Sequence, residues 1–171
     1  GRQNDGSGKD LFIVQQYVEP LLLLKCKRRK FHVRALVLCV GDLDVYMYRS
    51  ARVICATAPW TSSDFNNRLK HITNMSVNEH SEDYDFCEQN IDLRQLVNDE
   101  GCCLYQNIFD QMATACRLLF SSLVSKAKRN QFFPLKNTYE MFGFDFAVSA
   151  QGKVFLLEAN PEPSMKLFPE S

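Results

Sequence analysis

The sequence carries no excess of charge of either sign, its 20 Lys and Arg being matched by 20 Asp and Glu. A chain without a net field has no general attraction for nucleic acid or for an anionic membrane surface, so neither is expected as a partner and any charge-based recognition has to be local. Long hydrophobic runs are missing as well. The longest, residues 21–24 and 35–40, fall far short of the roughly 20 apolar residues that span a bilayer. Residues 1–10 are polar and lack the apolar centre of an export signal. Cys-x-x-Cys spacing is also absent. The seven cysteines, at 26, 39, 55, 87, 102, 103 and 116, leave one over in any complete pairing, which reads as a reduced, cytoplasmic protein. Adjacent Cys102 and Cys103 read as buried structural thiols, not as a redox or metal site. Gly6-Ser7-Gly8-Lys9 lacks the G-x-x-x-x-G-K-[ST] spacing of a phosphate loop and is read as a plain loop.

What is present suits one folded domain, because 46% hydrophobic residues over 171 positions are ample for a core. After the polar opening, the apolar run 11–18 reads as a strand ending near Pro20. Residues 31–40 read as a second strand, Gly41-Asp42 as a turn, 45–49 as its antiparallel partner, and 52–56 as a further strand. Residues 57–104 show no sustained period and are expected to form a long solvated loop. Ile108, Met112, Cys116, Leu119, Leu123 and Ala127 recur every three to four residues, predicting a helix over about 105–129 closed by Lys126, Lys128 and Arg129. Two strands follow, at 139–149 and 153–157, around Gln151-Gly152.

That last pair carries the chemistry. With Gln151-Gly152 as a two-residue turn, Ala150 faces Lys153, and counting back along both strands sets Asp145 opposite Glu158. Strand alternation then puts Asn160 on the face of Glu158, and sends Phe144, Phe146, Val148, Phe155 and Leu157 to the other face as a core. Two opposed carboxylates repel unless a cation lies between them. Two carboxylates and a carboxamide are hard oxygen donors of the kind Mg²⁺ takes while keeping waters or nucleotide phosphates. Asp145, Glu158 and Asn160 are therefore the candidate metal ligands. Lys30, His32 and Arg34 alternate onto one strand face, where cations can hold phosphate or carboxylate oxygens.

Six motifs in order, Gln15-Gln16-Tyr17-Val18, Lys30-Phe31-His32-Val33-Arg34, Tyr48-Arg49, His71-Ile72-Thr73-Asn74, Phe142-Gly143-Phe144-Asp145-Phe146 and Leu157-Glu158-Ala159-Asn160, resemble those of the tubulin–tyrosine ligase family over about residues 11–168. The resemblance implies an α+β fold of the ATP-grasp kind, an antiparallel sheet with packed helices. Residues 1–171 would be a partial catalytic domain, its C-terminal portion, for the family's N-terminal part and its upstream phosphate-contacting lysine have no counterpart here. It implies an ATP-dependent ligase that joins a free amino acid to a protein carboxylate through an acylphosphate. The acceptor implied is the tubulin C-terminal tail and the reaction tubulin tyrosination, with glutamate or glycine ligation, or a degenerate ATP-grasp module that binds without catalysing, as the alternatives, in a cytoplasmic, cytoskeleton-associated setting.

Carried over by position, the resemblance makes Gln15, Gln16, Tyr17 and Val18 the segment that holds adenine. Lys30, His32, Thr73 and Asn74 become further ATP contacts. Arg34 and Arg49 become the catalytic cations on phosphate and reactant carboxylates, and Asp145, Glu158 and Asn160 the Mg²⁺ ligands. The sequence departs from the family pattern at Gln16, where Lys is common, and at His32, where Asp is frequent.

Overall fold

The computed structural model describes residues 3–4, 10–11, 14–19, 21–25, 27–97, 101–126 and 133–168. Its centre is strand β3, Arg29–Val40, whose alternation sends Phe31, Val33, Ala35, Val37 and Cys39 to one face. Two short strands, β1 (Gln3–Asn4) and β2 (Asp10–Leu11), precede it and pair with each other. After the turn at Gly41, whose φ of +53 is natural for glycine, β4 (Asp44–Met47) folds back on the second half of β3. β5 (Arg52–Pro59) then pairs with its first half. β6 (Asn90–Asp92), β7 (Tyr139–Val148) and β8 (Val154–Pro161) complete a sheet ordered β6-β5-β3-β7-β8 with β4 off β3, every pairing antiparallel.

One long helix covers one face of this sheet. Tyr105–Lys126 presents Ile108, Met112, Cys116 and Phe120 to the sheet, four positions apart, so they stack on one helix face. The Phe120 ring lies 5.9 Å from Phe144 and 6.0 Å from Phe142, and burying side chains of this size contributes about 1.5–3 kcal/mol each. Among the described residues no helix is long and apolar enough to cross a membrane. The helix is described as far as Lys126; residues 127–132, where the periodicity places its end, lie outside the described residues, as do residues 6–9.

Four expectations need correction. Residues 14–19 are not a strand: they carry no ladder pairing, and Val14 is 97% exposed, while residues 12–13 lie outside the described residues. The run is apolar enough for a strand, but among the described residues no strand pairs with it to take up its backbone hydrogen bonds.

Residues 57–104 are not a structureless loop. They hold three one-turn helices, α1 (Arg68–His71), α2 (Met75–Asn78) and α3 (Phe86–Gln89), and the strand β6. Each helix is opened by the side-chain oxygen of Asn67, Asn74 or Asp85 accepting from the backbone two residues on. The segment is fastened by buried amides. Asn78 Oδ1 accepts from the Thr57 backbone and hydroxyl at 2.9 and 2.6 Å, and Gln89 Nε2 donates to that same hydroxyl at 2.9 Å. Single helical turns have no apolar period, so a periodicity reading passes over them.

Cys102 and Cys103 are exposed, not buried, because they sit in the link before the long helix, where Cys103 Sγ bonds the Arg94 carbonyl. Among the described residues the buried thiols are Cys39, Cys55 and Cys116, and burial pushes the pKa of the latter two up to about 12.

The β7–β8 hairpin corrects the expected turn while keeping its outcome. The turn has three residues, Ala150, Gln151 and Gly152: Ser149 N–H donates to the Lys153 carbonyl at 2.9 Å, and Gly152 takes φ +76. Val148, Ala147 and Phe146 therefore face Val154, Phe155 and Leu156, one residue out of the expected register. A bulge at Leu157 takes up the difference, and from there Asp145 faces Glu158 and Gly143 faces Asn160. Val154 and Leu156 consequently pack on the core in place of Phe155 and Leu157. Phe155, opposite Ala147, joins the face of Asp145, and Leu157 is left 43% exposed.

Candidate functional site

The face of the sheet away from the long helix carries the polar residues. On β3, His32 and Arg34 alternate with the core residues, and the sheet sets Arg34 between Asp145 of β7 and Arg52 of β5. Arg34 grips Asp145 with a two-pronged hydrogen bond, Nε to Oδ1 and Nη2 to Oδ2, the latter 2.6 Å. That bond raises the Arg34 pKa above its ordinary value. The cation that answers Asp145 within the protein is thus Arg34, an ion pair that strand spacing alone does not suggest.

Gly143, two residues before Asp145, makes room for this pair. A Cβ there would stand 2.9 Å from Pro163 Cβ and 3.2 Å from Arg34 Cδ. Across the strand, Asn160 Nδ2 donates to Glu158 Oε1 at 2.8 Å, holding amide and carboxylate side by side. Among the described residues no three His, Cys, Asp or Glu side chains already gather as a metal cage. The candidate ligands are two carboxylates and a carboxamide, an open set.

His32 is 7% exposed, with Nδ1 2.6 Å from the Thr73 hydroxyl and Nε2 3.7 Å from Asp145 Oδ1. Burial, followed by the neighbouring charge of Arg34, lowers its pKa to about 3, so the ring is neutral. Thr73 therefore meets the site through His32. Asn74 next to it spends its carboxamide oxygen on capping α2, accepting from Ser76 N–H at 3.0 Å.

Gln15, Gln16, Tyr17 and Val18 line a cavity of about 520 Å³ whose other wall is the hairpin, including Ser149, Lys153 and Phe155. The Lys30 ammonium sits 4.5 Å over the Tyr17 ring, and the Tyr17 hydroxyl lies 3.5 Å from His71 Nδ1. Lys30 and the 71–74 segment thus meet the 15–18 segment at one corner of the site. Arg49 lies elsewhere. It is exposed, just past β4, on the rim of a cavity of about 960 Å³ lined by Leu36, Leu38, Tyr48, Met141 and Phe168, and its carbonyl accepts from the Tyr105 hydroxyl at 2.7 Å. Leu36 is two residues from Arg34 along the same strand face, so the two arginines border adjoining parts of one surface.

Sequence reasoning passed over three residues of this face. Arg52 stands opposite Arg34, held by Asn90 Oδ1 at 2.9 Å, and burial lowers its pKa. Lys153 and Phe155 form the hairpin wall of the 520 Å³ cavity, with the ammonium 5.1 Å over the ring. Only the true turn length reveals that Phe155 faces this way.

The family model for the tubulin-tyrosine ligase family matches residues 3–168. The chain belongs to the tubulin–tyrosine ligase family. Curated family relatives include "Probable tubulin–tyrosine ligase PBY1" of Saccharomyces cerevisiae, 31% identical over 91% of this chain and 21% of its own length. A "Probable tubulin–tyrosine ligase" of Schizosaccharomyces pombe is 30% identical over 91% of this chain and 36% of its own. "Probable tubulin polyglutamylase TTLL2" of Homo sapiens is 28% identical over 92% of this chain. The chain thus spans between about a fifth and about a third of the length of the first two relatives. The mixed α/β fold with its antiparallel sheet agrees with a domain of the tubulin–tyrosine ligase family.

Proposed function

We propose that this chain is the ATP- and Mg²⁺-binding part of an ATP-grasp ligase. The enzyme joins a free amino acid to a protein carboxylate through an acylphosphate, with the tubulin C-terminal tail as acceptor and a cytoplasmic, cytoskeleton-associated place of action. The observation that carries the reading is the register of the β7–β8 hairpin: Asp145 faces Glu158, with Asn160 beside it and Arg34 against Asp145, all on the sheet face opposite the core. Arg34 answers Asp145, and Glu158, opposite it with Asn160 bonded to its Oε1, offers a second carboxylate that a divalent cation can share. The donors are hard oxygens in an open arrangement, which fits Mg²⁺ that keeps phosphate and water in its remaining positions. Bound there, the ion offsets charge on the phosphate oxygens.

The chain's own residues do the rest. The 15–18 segment and Phe155 enclose the adenine end. Lys30, His32, Thr73 and Asn74 flank the nucleotide between adenine and metal, and Arg34, whose Nε and Nη2 are held by Asp145, and Arg49 supply cations for phosphate and for reactant carboxylates. Both reactants are anionic, so cations placed before they arrive remove the main obstacle to their approach. Tyrosine is the amino acid favoured by the two fungal relatives' names. The relatives named as a polyglutamylase and as a glycylase of Tetrahymena thermophila support glutamate or glycine as the second reading.

The test uses the intact protein. Mg²⁺ with ATP is expected to raise its melting temperature and Glu158→Gln to reduce that shift, since stabilisation follows ligand concentration relative to Kd. Labelled tyrosine, glutamate and glycine are then offered with tubulin. An equal shift in both proteins, or no incorporation of any of the three, overturns the reading.

A further inference from the structure

His32 is the least explained group on the site face. Its side chain is more than nine-tenths buried, Nδ1 is taken up by Thr73, and Nε2 has no hydrogen-bond partner. The nearest polar atom on that side is Asp145 Oδ1 at 3.7 Å. If Nδ1 carries the proton and gives it to Thr73, Nε2 presents a lone pair to a carboxylate oxygen, two acceptors facing one another with nothing between. If Nε2 carries the proton instead, 3.7 Å is too long for it to reach Oδ1 as a hydrogen bond. Either way a buried nitrogen is left unsatisfied, which is unfavourable unless something arrives to use it.

We propose that His32 Nε2 is itself a ligand of the divalent cation at Asp145, giving the site a nitrogen donor and a preference for Mn²⁺ over Mg²⁺. The proposal rests on the reading of Asp145, Glu158 and Asn160 as the cation site. Two donors 3.7 Å apart are within the span that atoms reach around one shared ion with bonds of roughly 2.1 Å. The second ring nitrogen is already anchored, and metal-binding imidazoles are fixed in this way, by a partner on the nitrogen that does not bind the ion. Thr73 is that partner, so it acts as a positioning residue for His32. An imidazole favours later first-row ions, whereas Mg²⁺ is served by oxygen alone. The other charges facing this nitrogen are Arg34 and Lys30, which oppose a cation, and Glu158, which favours it.

The intact protein is loaded with Mn²⁺ and ATP and studied by pulsed electron paramagnetic resonance, once unlabelled and once with ¹⁵N-histidine. The expected result is a nitrogen coupling that changes on histidine labelling and is absent from His32→Gln and from His32→Asp. In His32→Asp, an oxygen donor replaces the nitrogen and the cation is expected to bind still, with the Mn²⁺-to-Mg²⁺ affinity ratio lowered roughly tenfold. Mn²⁺ that binds with a spectrum indifferent to histidine labelling overturns the ligand role of His32 and leaves the cation site standing. Wild-type protein that takes up no Mn²⁺ with ATP overturns both. The labelling arm needs no substitution, so a variant that fails to fold leaves the outcome decided.

Discussion

Arg34 and Asp145 are 111 residues apart in the chain and joined by two hydrogen bonds. The geometry is that of a planar fork on a carboxylate, which Lys cannot reproduce although it keeps the charge. Arg34→Lys is therefore expected to leave the fold intact and to lower kcat/KM for ligation by roughly tenfold or more, equivalent to ~1.4 kcal/mol. Circular dichroism and steady-state rates on the intact enzyme check the two halves, and wild-type rates would make Arg34 scaffold. Gly143 guards the same pair. Gly143→Ala pushes a methyl against Pro163 and the Arg34 stem, so it is expected to cost about 1–3 kcal/mol in denaturant unfolding. At this scale the sequence was partly readable. The facing of Asp145 and Glu158 was read from a two-residue turn and holds because the bulge at Leu157 restores that register. The Arg34–Asp145 bond depends on which strands lie side by side, and a local pattern does not carry that.

Strands with a one-sided or near-continuous apolar run, β3, β5 and β7, and the periodic helix over 105–126 were legible because their burial repeats every two or every three to four residues. The hairpin between β7 and β8 was legible only in its result, for a three-residue turn moves the register by one and the bulge at Leu157 moves it back. Residues 57–104 were not legible because their order comes from side-chain amides. Asn78 is the clearest case: it is 1% exposed, its oxygen accepts twice from Thr57, and its Nδ2 donates to the Ile72 and Asn74 carbonyls at 2.8 and 2.9 Å. Asn78→Ala strands several buried partners at once and is expected to destabilise the protein by about 2–3 kcal/mol. A change within about 0.5 kcal/mol in chemical denaturation would mean that water replaces the amide without loss.

The molecule as a whole is a sheet with two unlike faces. One is sealed by the long helix through Ile108, Met112, Cys116 and Phe120. The other is bordered by the 15–18 segment, the short helices α1 and α2, and the turn end of the β7–β8 hairpin. Elements of the second kind have few buried apolar contacts and open at low free energy, whereas a core helix opens only with the whole domain. A ligand that binds the polar face therefore has an uneven effect on amide exchange. Mg²⁺ with ATP is expected to slow exchange of residues 14–19, 68–78 and the β7–β8 hairpin. Amides of the 105–126 helix should change only by the global increment that mass action supplies. Hydrogen–deuterium exchange on the intact protein, with and without nucleotide, measures both at once. Protection concentrated on the helix face, or spread evenly over the chain, would place the nucleotide somewhere other than between the 15–18 segment and the hairpin.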